Sequence, residues 1–150
     1  MVWKPHTTVA AIIEQKQRFL LVEERVNGCV VFNQPAGHVD ANERLIDAVI
    51  RETQEESAYT FKPTHIIGCY YWQKQDKSTT YMRVCYTGEI THHHPEQALD
   101  DGIIAAHWLT REEVTRCATK LRSPMVMRNI DDYLKGRRFP LDMITDLGDL

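Results

Sequence analysis

Apolar residues crowd into two runs rich in β-formers, Thr7 to Glu14 and Arg18 to Glu24, which predict two strands. Gln15-Lys16-Gln17 between them predicts a hairpin, although no glycine marks its turn. A short apolar run at 29–32 predicts a third strand, which delivers the chain to the turn-rich loop Asn33-Gln34-Pro35-Ala36-Gly37. The period then changes. Leu45, Ala48, Val49 and Thr53 recur at helical spacing and predict a helix buried along that stripe, with Asn42 as its N-cap and its glutamates turned to the other side. Beyond Pro63, two β runs at 65–72 and 80–90 flank a polar stretch at 73–78 and predict an antiparallel pair. His92-His93-His94, ahead of Pro95, predicts a surface loop with no metal role, because consecutive side chains diverge. Residues 103–109 predict a further strand. Thr110 followed by Glu113 carries a capping-box pattern that opens a short helix, and a last helix is predicted over 124–134, stopped at Gly136.

Strand pairs with a helix for each face predict a layered α/β/α sandwich. A chain of 150 residues supplies one such domain, 1–150, able to bury about two thirds of its unfolded surface. Charges of both signs are interspersed and the net charge is −3, so there is no basic footprint for long nucleic acid. Cys29, Cys69, Cys85 and Cys117 show no paired spacing and read as reduced thiols of a cytoplasmic protein. No apolar run approaches the ~20 residues needed to span a bilayer, so no membrane partner is expected. A monomer or weak homodimer is the expected assembly.

The chemistry is concentrated in the main helix. Glu52, Glu55 and Glu56 are spaced i, i+3, i+4, so their carboxylates converge on one face. Like charges at that spacing repel by a few tenths of a kcal/mol per pair, which a divalent cation among them would offset. Hard oxygen donors without Cys or His select Mg²⁺, with Mn²⁺ as a substitute, and suit phosphate-ester and diphosphate cleavage.

Gly37, Glu43, Arg51, Glu52, Glu55 and Glu56 together match six positions of the pattern G-x5-E-x7-R-E-U-x-E-E-x-G-U, with U aliphatic, and the segment resembles the signature of the Nudix hydrolases. Thr53 and Tyr59 stand where that pattern has an aliphatic residue, and Ala58 replaces its last glycine. If the chain needs a positive φ there, Ala58 must bear it at a cost of roughly 1 kcal/mol. Lys4-Pro5-His6, residues 32–38, Leu121-Arg122-Ser123-Pro124 and residues 138–144 extend the similarity to the NudJ-type phosphatase branch over nearly the whole chain.

The resemblance implies a Nudix-like sandwich with a mixed sheet between helices. It also implies that an exposed Gly37 carbonyl joins Glu52, Glu55 and Glu56 as a metal ligand, and that Arg51 orients a glutamate by a salt bridge. Glu43, placed far along the helix, reads as structural. Glu52 and Glu56 are the candidates in the box for taking a proton from the attacking water, while Glu96, Asp100 and Asp101 lie in a later loop that often adds an acidic group. For substrate, Lys4, Arg25 and Arg83 could meet phosphates, and Trp3, Phe32, Tyr71 or Trp72 could stack on a ring. The branch implies a small-molecule phosphorylated substrate: nucleoside di- and triphosphates, hydroxymethylpyrimidine diphosphate and thiamine diphosphate, cleaved with release of orthophosphate. A sensor that binds nucleotides without turnover, or a Nudix enzyme of other specificity, remains open at this point.

Overall fold

A computed structural model describes residues 1–148. Its strands are β1 (His6–Ile12), β2 (Glu14–Gln15), β3 (Arg18–Val26), β4 (Cys29–Asn33), β5 (Ala36–His38), β6 (Tyr59–Gln73), β7 (Thr80–His93) and β8 (Ile103–Thr110). Its helices are α1 (Leu45–Ser57), α2 (Arg111–Arg116) and α3 (Met125–Leu134). One sheet runs in the order β5-β1-β7-β6, with β1 and β7 parallel and the other pairs antiparallel, so it is mixed. A second, antiparallel sheet places β3 between β4 and β8 and adds the short β2. The expected mixed sheet is present, and the chain spends its remaining strands on a second one.

The layering follows from the two faces of β1. Val9 and Ala11 pack with Ala48 and Val49 of α1, Phe61 and Ile66 of β6, and Val84 and Tyr86 of β7. Ala10 and Ile12 point the opposite way, to Val114 of α2 and Val126 and Ile130 of α3. A central strand covered on both sides must be apolar at successive positions, which is why residues 8–12 are all buried. The α/β/α sandwich is therefore built on that strand.

Several local expectations change. The turn after β2 is made by Lys16 and Gln17, both with positive φ, so two side-chain-bearing residues take the conformation usually given to Asn-Gly. Asn42 is not the N-cap. It has φ 63° in a turn closed by the Glu43 N–H on the Asp40 carbonyl at 3.2 Å and by the Asp40 N–H on the Glu43 carboxylate at 2.9 Å, and the helix starts after Arg44. Part of the loop assigned to 33–37 is β5, paired with β1. His92 and His93 belong to the end of β7, held by pairing with Thr60 and Tyr59, and His93 stacks on Tyr59 with ring centres 4.3 Å apart. The capping box at Thr110 and Glu113 forms, and Gly136 takes φ 83° just past α3.

Ala58 ends α1 with φ 62°, its N–H donating to the Gln54 carbonyl at 2.8 Å. The left-handed exit that usually takes glycine is thus adopted by alanine.

Candidate active site

Three elements converge on one cleft of about 360 Å³: β5, the acidic face of α1, and the connection from β7 to β8. Ligand-capable oxygens of Glu52, Glu55 and Asp100 all lie within 4.8 Å of one another. Asp100 is brought there by its own backbone, whose N–H donates to the Glu55 carbonyl at 3.0 Å. Of the three acidic residues in the later loop, Asp100 and Asp101 line the cleft, while Glu96 is exposed elsewhere.

Glu56 is not turned to solvent with its neighbours. It is 4% exposed, and its Oε1 accepts the Ala36 N–H at 3.0 Å. Burial, joined by the charges of Glu52, Glu24 and Asp100 and opposed by the Ala36 bond, pushes its carboxyl up to about 9. Burial also raises Glu52, with Arg51 pulling the other way. The acidic face is therefore part of a wall and not a solvated surface.

Arg51 gathers this wall. Its Nε and Nη2 donate to Glu43 at 2.7 and 2.9 Å, its Nη1 to Glu52 at 2.8 Å and Glu55 at 3.2 Å, and its Nη2 also to the His38 carbonyl at 3.0 Å. Glu43 precedes α1 and stands in the turn beside it, with its carboxyl held below the ordinary value first by the Arg51 hydrogen bond.

The Gly37 carbonyl is not exposed at a loop end. Gly37 lies in β5 opposite Val9, between two bonds of the β1 ladder, Ala11 N–H to Pro35 O and Val39 N–H to Thr7 O. Strand alternation turns the peptide groups of Ala36 and His38 the other way, toward α1, where Ala36 meets Glu56 and His38 meets Arg51. Glycine at 37 leaves room for the end of the Glu52 side chain. A Cβ there would run into the Glu52 carboxylate. That close approach and the all-oxygen donor set fit a small hard cation such as Mg²⁺ or Mn²⁺.

Among the substrate candidates, Arg83 and Trp72 line the cleft, Trp72 stacked on Tyr81 with ring centres 5.7 Å apart at 14°. Lys4 and Arg25 are exposed outside it, and Arg25 uses its backbone to hold Gly102. Phe32 packs into the core beside α3, and Trp3 and Tyr71 are exposed away from the cleft. The sequence reading missed Arg122, which lines the cleft and donates to Glu24 at 2.7 Å. Its one sequence signal was its place in the Leu121–Pro124 segment, quoted for similarity without a role.

The NUDIX domain family model matches residues 4–129. Phosphatase NudJ of Escherichia coli K12 and that of Shigella boydii are each 40% identical over 144 residues, covering 96% of this chain and 93% of theirs. The solved structure of a NUDIX hydrolase from Nitrosomonas europaea is 40% identical, covers 95% of this chain and 97% of its own, and superposes with a TM-score of 0.93. With Glu52 and Glu56 of the box on the wall of one cleft and similarity running along nearly the whole chain, the chain belongs to the Nudix hydrolases.

Proposed function

We propose that the chain is a Mg²⁺-dependent hydrolase of phosphoanhydride bonds in small molecules, acting on nucleoside di- and triphosphates and related diphosphates and releasing orthophosphate. The observation that carries this is the approach of ligand-capable oxygens of Glu52, Glu55 and Asp100 to within 4.8 Å of one another, close enough for one divalent cation to be shared among them. A bound cation supplies charge neutralisation of the phosphate oxygens and a more acidic water. Glu52, Glu55, Asp100 and Glu56 hold it, with the Ala36 carbonyl taking the backbone-ligand role first assigned to Gly37. Arg51 positions the carboxylates, and Glu52 or Glu56 takes the proton from water.

The orthophosphate product is supported by 40% identity to proteins named Phosphatase NudJ, while hydroxymethylpyrimidine and thiamine diphosphates as substrates rest on the resemblance to that branch. In this reading residues 1–150 form one domain, a cytoplasmic monomer or weak homodimer. Four free cysteines, and no helix among the described residues long and apolar enough to cross a membrane, support that placement. The test is phosphate release from nucleoside diphosphates with excess chelator and after restoring Mg²⁺ or Mn²⁺. Activity should vanish and return; equal rates with and without chelator would overturn the metal assignment.

A further inference from the structure

Away from the cleft, residues 92–97 line a second hollow, and three of them are histidines. Because β7 runs through His93, strand alternation sends that ring to one side, where it stacks on Tyr59, and sends His92 and His94 to the other. Those two rings meet edge to face, with centres 4.4 Å apart at 64°. Consecutive side chains do diverge, and it is the alternate ones that converge. His92 is exposed and His94 half-buried, so both rings keep contact with solvent.

The pair is set in place before any ligand arrives. The His94 N–H donates to the Ala58 carbonyl at 2.8 Å, and the His94 carbonyl accepts the Gln97 N–H at 3.0 Å. The Gln97 side chain donates in turn to the Gln54 carbonyl at 2.7 Å. On the ring, Nε2 of His94 lies 2.8 Å from Oγ1 of Thr60, which is itself the β6 partner of His92. With the Nε2 proton donated to Thr60, Nδ1 keeps a free lone pair, and a metal-bound imidazole is oriented in this way through its other nitrogen.

The surroundings decide the sign of the ligand. The hollow adjoins the C-terminal end of α1, whose last turn holds Glu55 and Glu56 and no basic residue, so the negative end of the helix has no cation of its own. Glu96 lines the same hollow, and no lysine or arginine among the described residues does. An anion would meet only repulsion from these groups, whereas a cation gains from the helix, from Glu96 and from two neutral nitrogens. Imidazole donors select Zn²⁺, Ni²⁺ or Cu²⁺ over Mg²⁺. A tetrahedral ion at about 2.0–2.1 Å from each nitrogen needs them roughly 3.3 Å apart, which two rings in contact can supply.

We propose that His92 and His94 chelate a transition cation of the Zn²⁺ type, with water and the Glu96 carboxylate completing its coordination. The site shares no residue with the one proposed for Glu52, Glu55 and Asp100, and it stands whether or not the chain hydrolyses diphosphates.

The experiment follows the histidine ring signals of the whole protein by NMR as Zn²⁺ is added in saturating Mg²⁺, which competes for the carboxylates. His92 and His94 should shift together and saturate at one equivalent, while His65 and His107 stay in place. His92→Ala should weaken binding about tenfold or more. Thr60→Val keeps a β-branched residue in the strand and removes the oxygen that orients His94, so it should also cost about tenfold, which two histidines in chance contact would not feel. His6 and His38, with ring nitrogens 3.3 Å apart across β1 and β5, are the rival pair. Zn²⁺ that moves their signals first and binds His92→Ala as tightly as the parent would overturn the proposal. The absence of any His92 or His94 shift at millimolar Zn²⁺ would overturn it as well.

Discussion

Arg51 holds Glu43 with two parallel bonds of 2.7 and 2.9 Å while the rest of the same guanidinium touches Glu52 and Glu55. Glu43 thus reaches the acidic face of α1 through Arg51, by fixing the plane of the fork that meets the other two carboxylates. A lysine keeps the charge and loses the fork. Arg51→Lys should raise the Mg²⁺ concentration for half-maximal activity about 10–100-fold, the range found when a group that orients metal ligands is removed. Glu43→Gln keeps one acceptor and should do less. A Mg²⁺ titration of both variants checks this, and an unchanged midpoint for Arg51→Lys would remove Arg51 from any positioning role.

Ala58 invites the opposite of a common design instinct. Glycine at φ 62° relieves roughly 1–2 kcal/mol of left-handed strain, but it removes a methyl group that is 96% buried by its residue's exposure of 4%, worth about 0.8 kcal/mol, and frees the unfolded chain by about 0.4–1 kcal/mol. These cancel. Ala58→Gly should therefore leave stability within about 0.5 kcal/mol by denaturant unfolding, whereas Ala58→Val, β-branched in the left-handed region, should lose about 1–3 kcal/mol. A clear gain from glycine would show that the alanine strain is larger than the backbone geometry implies.

Glu56 gives the fold a pH dependence of definite sign. Its carboxyl is raised from 4.5 to about 9, so between those values the folded protein holds a proton that the unfolded chain has released. The stability this contributes is complete below about 4.5 and is lost as pH climbs toward 9. His38, lowered first by burial, works in the other direction around its ordinary value of 6.5, so the comparison must be made against a variant. In chelator, the melting temperature of Glu56→Gln should fall less between pH 5 and 9 than that of the parent, since a carboxamide does not titrate. Saturating Mg²⁺ should reduce the parent's loss, because the cation takes the proton's place. Parallel curves for the two proteins would show that Glu56 is ionised throughout.

How far the sequence carried is best seen residue by residue. The strands, the helix stripe of Ala48, Val49 and Thr53 and the capping box at Thr110 were legible because each is a local repeat or cap whose cause lies within a few residues. The three glutamates were legible as one face by spacing alone. That Glu56 is buried was not, since its burial depends on Ala36 of a three-residue strand whose pairing with β1 is set by tertiary contact. The same pairing decides which peptide groups face α1, and the proposed backbone ligand is Ala36 in place of Gly37 on that ground. Lys4 and Arg25 were chosen for their charge alone, a property blind to where the cleft opens. Arg83 carried no mark of its burial, because alternation along β7 gives its face only once β1 is known to lie alongside.

The product is the most discriminating expectation. Nudix enzymes acting on nucleoside triphosphates mostly leave a monophosphate and pyrophosphate, whereas the resemblance to NudJ implies orthophosphate and acceptance of diphosphates too. The difference lies in which phosphorus sits at the cation proposed for Glu52, Glu55 and Asp100. A terminal phosphorus presented there can be attacked in a di- or triphosphate alike. Cytidine triphosphate and diphosphate should therefore both release orthophosphate directly. The measurement is phosphate release on each, with and without added inorganic pyrophosphatase. Signal that appears only with pyrophosphatase would place the chain with the pyrophosphate-releasing enzymes while leaving the metal wall as it stands, and a diphosphate that is refused would show that the cleft measures distance from the ring and not from the chain's end.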